Sequence, residues 1–254
     1  MTHRPSDAAT TCKLMLTPSG ALDFRRAFNP IFLAKEQILL FNSCKQAYGD
    51  EIQSAMLQRY TRWAQELTES GVLPQQTTTE AVCTVAADRE YGDLERICHN
   101  SSIMCLYSAV DGINKTAVHI VCQEDRGAVR DVIAFEKPKL SLPASDDSLL
   151  QFVDETNVGY ETRFRILERM LPLRIERSIP FRANDDNAIW VYDPVRFRRL
   201  GDERRSIVHE DLMRGPSIDV LSYAMYAGDY LQVVNECLES MFHRGDPSVI
   251  VPRS

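Results

Sequence analysis

Cys83, Cys98, His99, Cys105, His119 and Cys122 are side chains of the kinds that bind zinc, which takes four thiolate or imidazole ligands tetrahedrally. Their spacing opposes a metal centre. If Ile103 to Val110 and Thr116 to Cys122 are strands paired across Asp111-Gly112, Cys105 and Cys122 share one sheet face and His119 points to the other. At most two of those three then converge. Cysteines acting as small hydrophobes account for the pattern with fewer demands, so the expectation is no structural metal and no cofactor.

Nucleophilic catalysis is the second chemistry these types permit, because a thiolate beside an imidazole attacks carbonyl carbon at neutral pH. Cys98 or Cys105 would serve with His119 or His209, but no local signature joins them. His209-Glu210-Asp211 sets an imidazole beside two carboxylates, read as a helix start or a solvated acidic group. The HExxH pattern fails there, since Met213 stands where its second histidine belongs. Neither GxxxxGK[ST], GxGxxG nor GxSxG occurs, and Gly20 alone precedes Gly49, so a glycine-rich phosphate loop lacks its raw material.

Arginine supplies the most distinctive feature. Residues 163–205 hold 11 Arg against 7 acidic residues, a net +4, whereas residues 1–162 sum to -7 and 206–254 to -4. Arg196, Arg198, Arg199, Arg204 and Arg205 surround Phe197 within ten residues. Guanidinium groups beside an aromatic grip phosphates, a stacked base or an acidic protein surface. The bland alternative is a solvated surface on which Asp193, Asp202 and Glu203 neutralise part of the cluster.

The whole chain narrows these options. Over 254 residues, 44% hydrophobic and 26% charged, the composition is that of an ordinary globular protein needing no disulfide or metal to fold. Its net charge of -7 opposes a surface that coats nucleic acid or an anionic membrane throughout. No apolar run approaches the ~20 residues of a membrane span, and residues 1–20 lack the apolar stretch of a signal peptide. Cytoplasmic residence without membrane contact follows as the expectation. Seven cysteines, odd in number and without a CxxC pair, are then expected to be reduced. In that setting the sequons Asn100-Ser101-Ser102 and Asn114-Lys115-Thr116 are chance matches.

The elements that would position these residues read as follows. Residues 1–20 form an irregular arm and 21–254 a single α+β domain, with alternative lobe boundaries near 74–80 and 138–147. Asn29-Pro30 starts a helix from Ile31 that Gly49-Asp50 interrupts. A second, amphipathic helix carries Ile52, Met56, Tyr60, Trp63 and Leu67 and closes at Ser70-Gly71. Ala81 to Ala86 reads as a strand and Asp88 to His99 as a short helix. The paired strands above, with Val129 to Phe135 after a tight connection at Asp125 to Gly127, make an antiparallel meander. Ser145-Asp146-Asp147 starts a helix bearing Leu149, Leu150, Phe152 and Val153; another spans Tyr160 to Leu171, and Ile189 to Tyr192 returns to the sheet.

A last helix, opening at Gly215-Pro216-Ser217 and ending near Phe242, is apolar over so much of its circumference that two packed sides are expected. Leu221, Leu231, Val234 and Leu238 should pack on the sheet. Tyr223, Tyr226 and Tyr230 should face the other way, toward water, a partner or a second copy, with Gly228 permitting close approach of a neighbour.

The architecture expected is therefore α+β: an N-terminal helical pair, a central antiparallel sheet and C-terminal helices packed on it. The functional expectation is a non-catalytic regulatory, adaptor or accessory protein. It would contact an acidic partner through Arg196, Phe197, Arg198, Arg199, Arg204, Arg205 and Tyr226. The alternatives are an enzyme whose Cys/His or acid/base residues are assembled only by the fold, and binding of nucleic acid or a phosphorylated ligand by the arginines.

Overall fold

The computed structural model describes residues 24–74, 80–143, 145–154, 158–175, 177–178, 189–209 and 218–242. Among them the fold is all-helical, and the expected central sheet is absent. The elements are α1 (Phe24–Glu69), α2 (Glu80–Glu124), α3 (Arg126–Glu136), α4 (Asp146–Asp154), α5 (Tyr160–Met170), β1 (Arg177–Ser178), β2 (Ile189–Trp190), α6 (Pro194–His209) and α7 (Val220–Phe242). Ile189 to Tyr192 does pair, but only as a two-residue antiparallel ladder of β2 with β1, Arg177 opposite Trp190 and Ser178 opposite Ile189. The irregular arm expected at 1–20 lies outside the described residues, as does Gly215-Pro216-Ser217.

The largest correction is α2. Its 45 residues absorb the strands expected at Ala81 to Ala86, Ile103 to Val110 and Thr116 to Cys122, and Asp111-Gly112 lies inside it rather than at a hairpin turn. The physical reason is its surroundings. α2 packs on α1, α3, α4, α5, α6 and α7, so from Ile103 onward most of its circumference is buried, through Ile103, Leu106, Val110, Ile113, Ala117, Val118, Val121 and Cys122, and its exposed side narrows to a stripe through Ser108, Gly112 and Thr116. A helix with so narrow an exposed stripe shows little amphipathic contrast, and its short apolar runs mimic buried strands. Val129 to Phe135 likewise belongs to α3. Asp125, expected in a tight connection, caps that helix by accepting from the Ala128 N–H at 2.9 Å.

The N-terminal pair is one helix, α1, 46 residues long with Pro30 inside it. Gly49 does not interrupt it. A Cβ there would lie 3.0 Å from Tyr91 Oη, so the glycine lets α1 and α2 approach closely in exchange for its cost in helix propensity. α1 ends where expected, in a Schellman turn: the Gly71 N–H donates to Thr68 O and the Val72 N–H to Leu67 O, with Gly71 at φ 72°.

α1 and α2 then run antiparallel, marked by Ser102 Oγ donating to Gln37 Oε1, by Lys45 against Glu95 at 3.0 Å and by Gln53 hydrogen-bonded to Asp88. One contiguous core joins residues on both sides of the expected lobe boundaries, and it takes Ile31, Ala34 and Ile38 from α1 and residues from Ile103 onward from α2. Outward of those limits α1 and α2 pair with each other as a two-helix arm. Cys83 and Ala87 are the buried hydrophobes of this two-helix arm, and Tyr48, Trp63, Val82 and Val85 are exposed.

α4 and α5 form where the sequence places them. Ser145 Oγ accepts from the Ser148 N–H at 3.2 Å, and Leu149 and Val153 are buried. α7 is capped by Asp219, whose Oδ1 accepts from the N–H groups of Leu221 and Ser222. Its second packed side is filled by the same chain: Tyr226 and Tyr230 are buried, as are Leu231, Val234 and Leu238. The expected outward orientation of Tyr226 and Tyr230 is thus corrected. No described helix is long and apolar enough to cross a membrane.

Candidate functional site

α6 carries the arginine cluster, and an aromatic plate fixes which way each arginine points. Asp193 Oδ1 caps the helix by accepting from the Val195 N–H at 2.9 Å. Phe197, expected on the surface, is buried: it stacks on Phe164 at 4.6 Å and meets Tyr230 at 4.5 Å and Tyr226 at 5.2 Å between ring centroids. Tyr226 in turn stacks on Trp190 at 5.7 Å. Its hydroxyl donates to Val191 O and accepts from the Asp193 N–H, tying α7 to the segment after β2. Phe197 and Tyr226 therefore act here by packing α6 against α7.

With Phe197, Leu200 and Ile207 turned inward, the five arginines divide between two faces. Arg196 lies over the rings of Tyr226 and Tyr223 at 5.0 and 5.8 Å, donates to Ser222 Oγ at 3.2 Å and stands 3.6 Å from Asp193. The exposed Arg199 lies beside Tyr223 on that side, where its charge and that of Arg196 oppose the rise that burial imposes on the Tyr223 phenol. Arg198, Arg204 and Arg205 face a cleft of about 290 Å³ on the other side.

Four elements build the cleft. α2 contributes Tyr107, the turn after α3 Lys137, the start of α5 Gly159 to Thr162, and α6 Arg198, Gly201, Asp202, Arg204 and Arg205. Tyr107 and Tyr160 stack at 4.7 Å. Gly201 makes room for this pair, because a Cβ there would lie 3.2 Å from Tyr160 Cε1. The Arg204 guanidinium lies over the Tyr107 ring at 5.4 Å, a cation–π contact that holds it toward the cleft. Burial pushes the Tyr107 phenol up from its ordinary range, with Asp111 adding to the rise and Arg204, Arg163 and Arg205 opposing it. It remains a hydrogen-bond donor at neutral pH.

Charge in the cleft is unbalanced. Asp202 stands 3.7 Å from Arg205, while Arg198, Arg204 and Lys137 have no carboxylate partner among the described residues. Arg163, the first arginine of the basic segment, is buried and paired with Asp111. α5 begins at Gly159, which has no side chain to cap it. Its first N–H groups thus add partial positive charge to the same wall.

Of the residues expected to contact a partner, the structure brings Arg198, Arg204 and Arg205 to this cleft, together with Tyr107, Lys137, Gly159, Tyr160 and Gly201, which come from four places along the chain and which the sequence did not single out. The uncapped glycine before Tyr160 was the one local signal.

The alternative chemistries fare differently. Cys105 and His119 lie on the same helix, fourteen residues or about 21 Å apart along its axis, and do not form a nucleophile–base pair. The strand argument that set them on opposite sheet faces is replaced by this separation. His119 Nε2 instead lies 2.9 Å from the Gln123 side-chain nitrogen, and His99 Nδ1 2.8 Å from Glu95 O. His209 is the last residue of α6 rather than a helix start, and Glu210 and Asp211 lie outside the described residues. Among the described residues no three His, Cys, Asp or Glu side chains gather as metal ligands, and Cys44, Cys83, Cys98, Cys105, Cys122 and Cys237 are not joined in disulfides.

A second, larger and more open cavity of about 740 Å³ lies between α1 and α2. It is lined mainly by Pro30, Phe32, Leu33, Met104 and Cys105 and offers no acid–base pair. In comparisons with known proteins, no family model, no curated protein and no solved structure matches this chain.

Proposed function

We propose that the chain is a non-catalytic regulatory or accessory protein of the cytoplasm that contacts an acidic partner through the outer surface of α6. The observation that carries this reading is the division of labour along that helix. Phe197 and Leu200 are buried in the aromatic plate, while Arg198, Arg199 and Arg205 are exposed on the outside. Buried anchors of this kind fix the backbone that carries the arginines, so their spacing along the surface is set before a partner is engaged. The surrounding -7 chain disfavours a long polyanion while leaving short-range attraction to a local acidic patch intact.

The test is capture from the native cell by the wild-type chain and by an Arg198→Glu/Arg199→Glu/Arg205→Glu variant. The expected result is a salt-sensitive partner retained by the first and lost by the second, with the same circular dichroism for both. Retention by the reversed variant overturns the reading. Tight, salt-dependent binding of wild type to random RNA would replace it with nucleic-acid binding.

A further inference from the structure

We infer that the cleft between α2, α5 and α6 receives a phosphate monoester carried on a phosphorylated side chain of the partner protein. The inference rests on the reading above and narrows it to one chemical group. Size comes first: about 290 Å³ sits at the small end of ligand sites and suits a single group rather than a run of nucleotides. Charge comes second. Lys137, Arg198, Arg204 and Arg205 face Glu161 and Asp202 around the cavity, leaving two positive charges to match a phosphate dianion.

Geometry comes third. Arg204 is held over Tyr107, its Nε is buried without a hydrogen-bond partner, and a guanidinium fork matches phosphate oxygens. The first N–H groups of α5 are uncapped on the same wall, where an anion is favoured by unpaired donors and helix dipole together. Asp202 is directed to Arg205 at 3.7 Å, so the carboxylate nearest the arginines already has a cation. Together these place cations from two elements, a phenol and a helix start around one small concavity.

Fluorescence anisotropy with the full chain tests this. The probes are degenerate peptide libraries with a central phosphoserine, phosphothreonine or phosphotyrosine, their unphosphorylated counterparts, and inorganic phosphate as competitor. At least one phosphorylated library should bind tenfold or more tightly than its counterpart. Arg204→Gln and Lys137→Gln should each weaken it by about tenfold, while Arg62→Gln on the arm changes nothing. The use of two cleft variants guards against one of them failing to fold.

Equal binding with and without phosphate overturns the inference, as does inorganic phosphate competing as tightly as the peptide, which would assign the cleft to a free phosphate compound. If the triple Arg→Glu variant loses its partner but no phosphorylated library binds, the acidic-partner reading stands and the phosphate assignment falls. If the triple variant keeps its partner, the broader reading falls too.

Discussion

The Tyr230 hydroxyl donates a 2.7 Å hydrogen bond to Asn114 Oδ1, joining the middle of α7 to the enclosed half of α2 where both residues are completely buried. Such a pair fixes the rotation of each helix about its axis, because a slip by one residue would leave both polar groups unpaired in an apolar interior. Tyr230→Phe should therefore lower stability by about 1–3 kcal/mol. Asn114→Leu combined with Tyr230→Phe should lose less than the sum of the single changes, in a double-mutant cycle read by urea unfolding. Strict additivity would show that the bond carries no coupling.

Gly228 lies within α7, and a Cβ built there meets nothing within 4 Å. The expected close approach of a neighbour at this position is thus not found. Gly228→Ala should raise stability by about 0.5–1 kcal/mol through helix propensity alone. Leu231→Ala, three residues on and fully buried, should lower it by about 2–5 kcal/mol. Thermal unfolding of the two variants should move in opposite directions, and a destabilised Gly228→Ala would mean that a neighbour occupies that space.

Alkaline sensitivity follows from the aromatic plate. Burial pushes the phenols of Tyr160, Tyr192, Tyr226 and Tyr230 above their ordinary range. Below about pH 10 both folded and unfolded chains keep these protons and stability is unaffected. Above it the unfolded chain releases protons that the folded chain retains. Stability should then fall with rising pH by about 1.4 kcal/mol per pH unit for each such tyrosine, until the folded-state values are passed. Urea midpoints measured between pH 9 and 11, with phenolate absorbance followed in parallel, test this; a flat profile would contradict the burial of the plate.

Amide exchange should divide α2 into two regimes although it is one helix. Residues 103–122 lie in the core, whereas Cys83 and Ala87 are the only fully buried hydrophobes between 80 and 99. Exchange in the arm should be faster by on the order of a hundredfold, as expected where apolar contacts are few. Uniform protection along α2 would refute the distinction.

What the sequence made legible follows from how each segment is solvated. The helices at Ile52 to Leu67, Tyr160 to Met170 and Val220 to Phe242 keep recognisable periods or caps, and the structure has helix at each. Six helices pack on the region from Ile103 to Cys122, which narrows its exposed side to a thin stripe at Ser108, Gly112 and Thr116, and the apolar runs between those residues read as strands. Asp111-Gly112 then resembles a turn, although Asp111 serves as the partner of the buried Arg163. The arginines of the cleft were visible as a cluster because five fall within ten residues. Tyr107 and Lys137 were not, because distant elements deliver them and nothing in their local sequence marks that convergence.

The arm also behaves as a ruler. Gln37 meets Ser102, Lys45 meets Glu95 and Gln53 meets Asp88, so each step outward on α1 is matched by a step back on α2, away from the cleft residue Tyr107. Removing one heptad from each helix, such as residues 50–56 together with 84–90, would shorten the arm by about 10 Å with only ~20° of rotational drift. Removing residues 50–56 alone would leave Gln37–Ser102 and Lys45–Glu95 in place and throw the contacts nearer the tip, such as Arg59 with Glu90, out of register. Length along this hairpin is thus a property the fold can change in matched increments, and the distance from its tip to the α6 surface can be set without altering a single residue of the core.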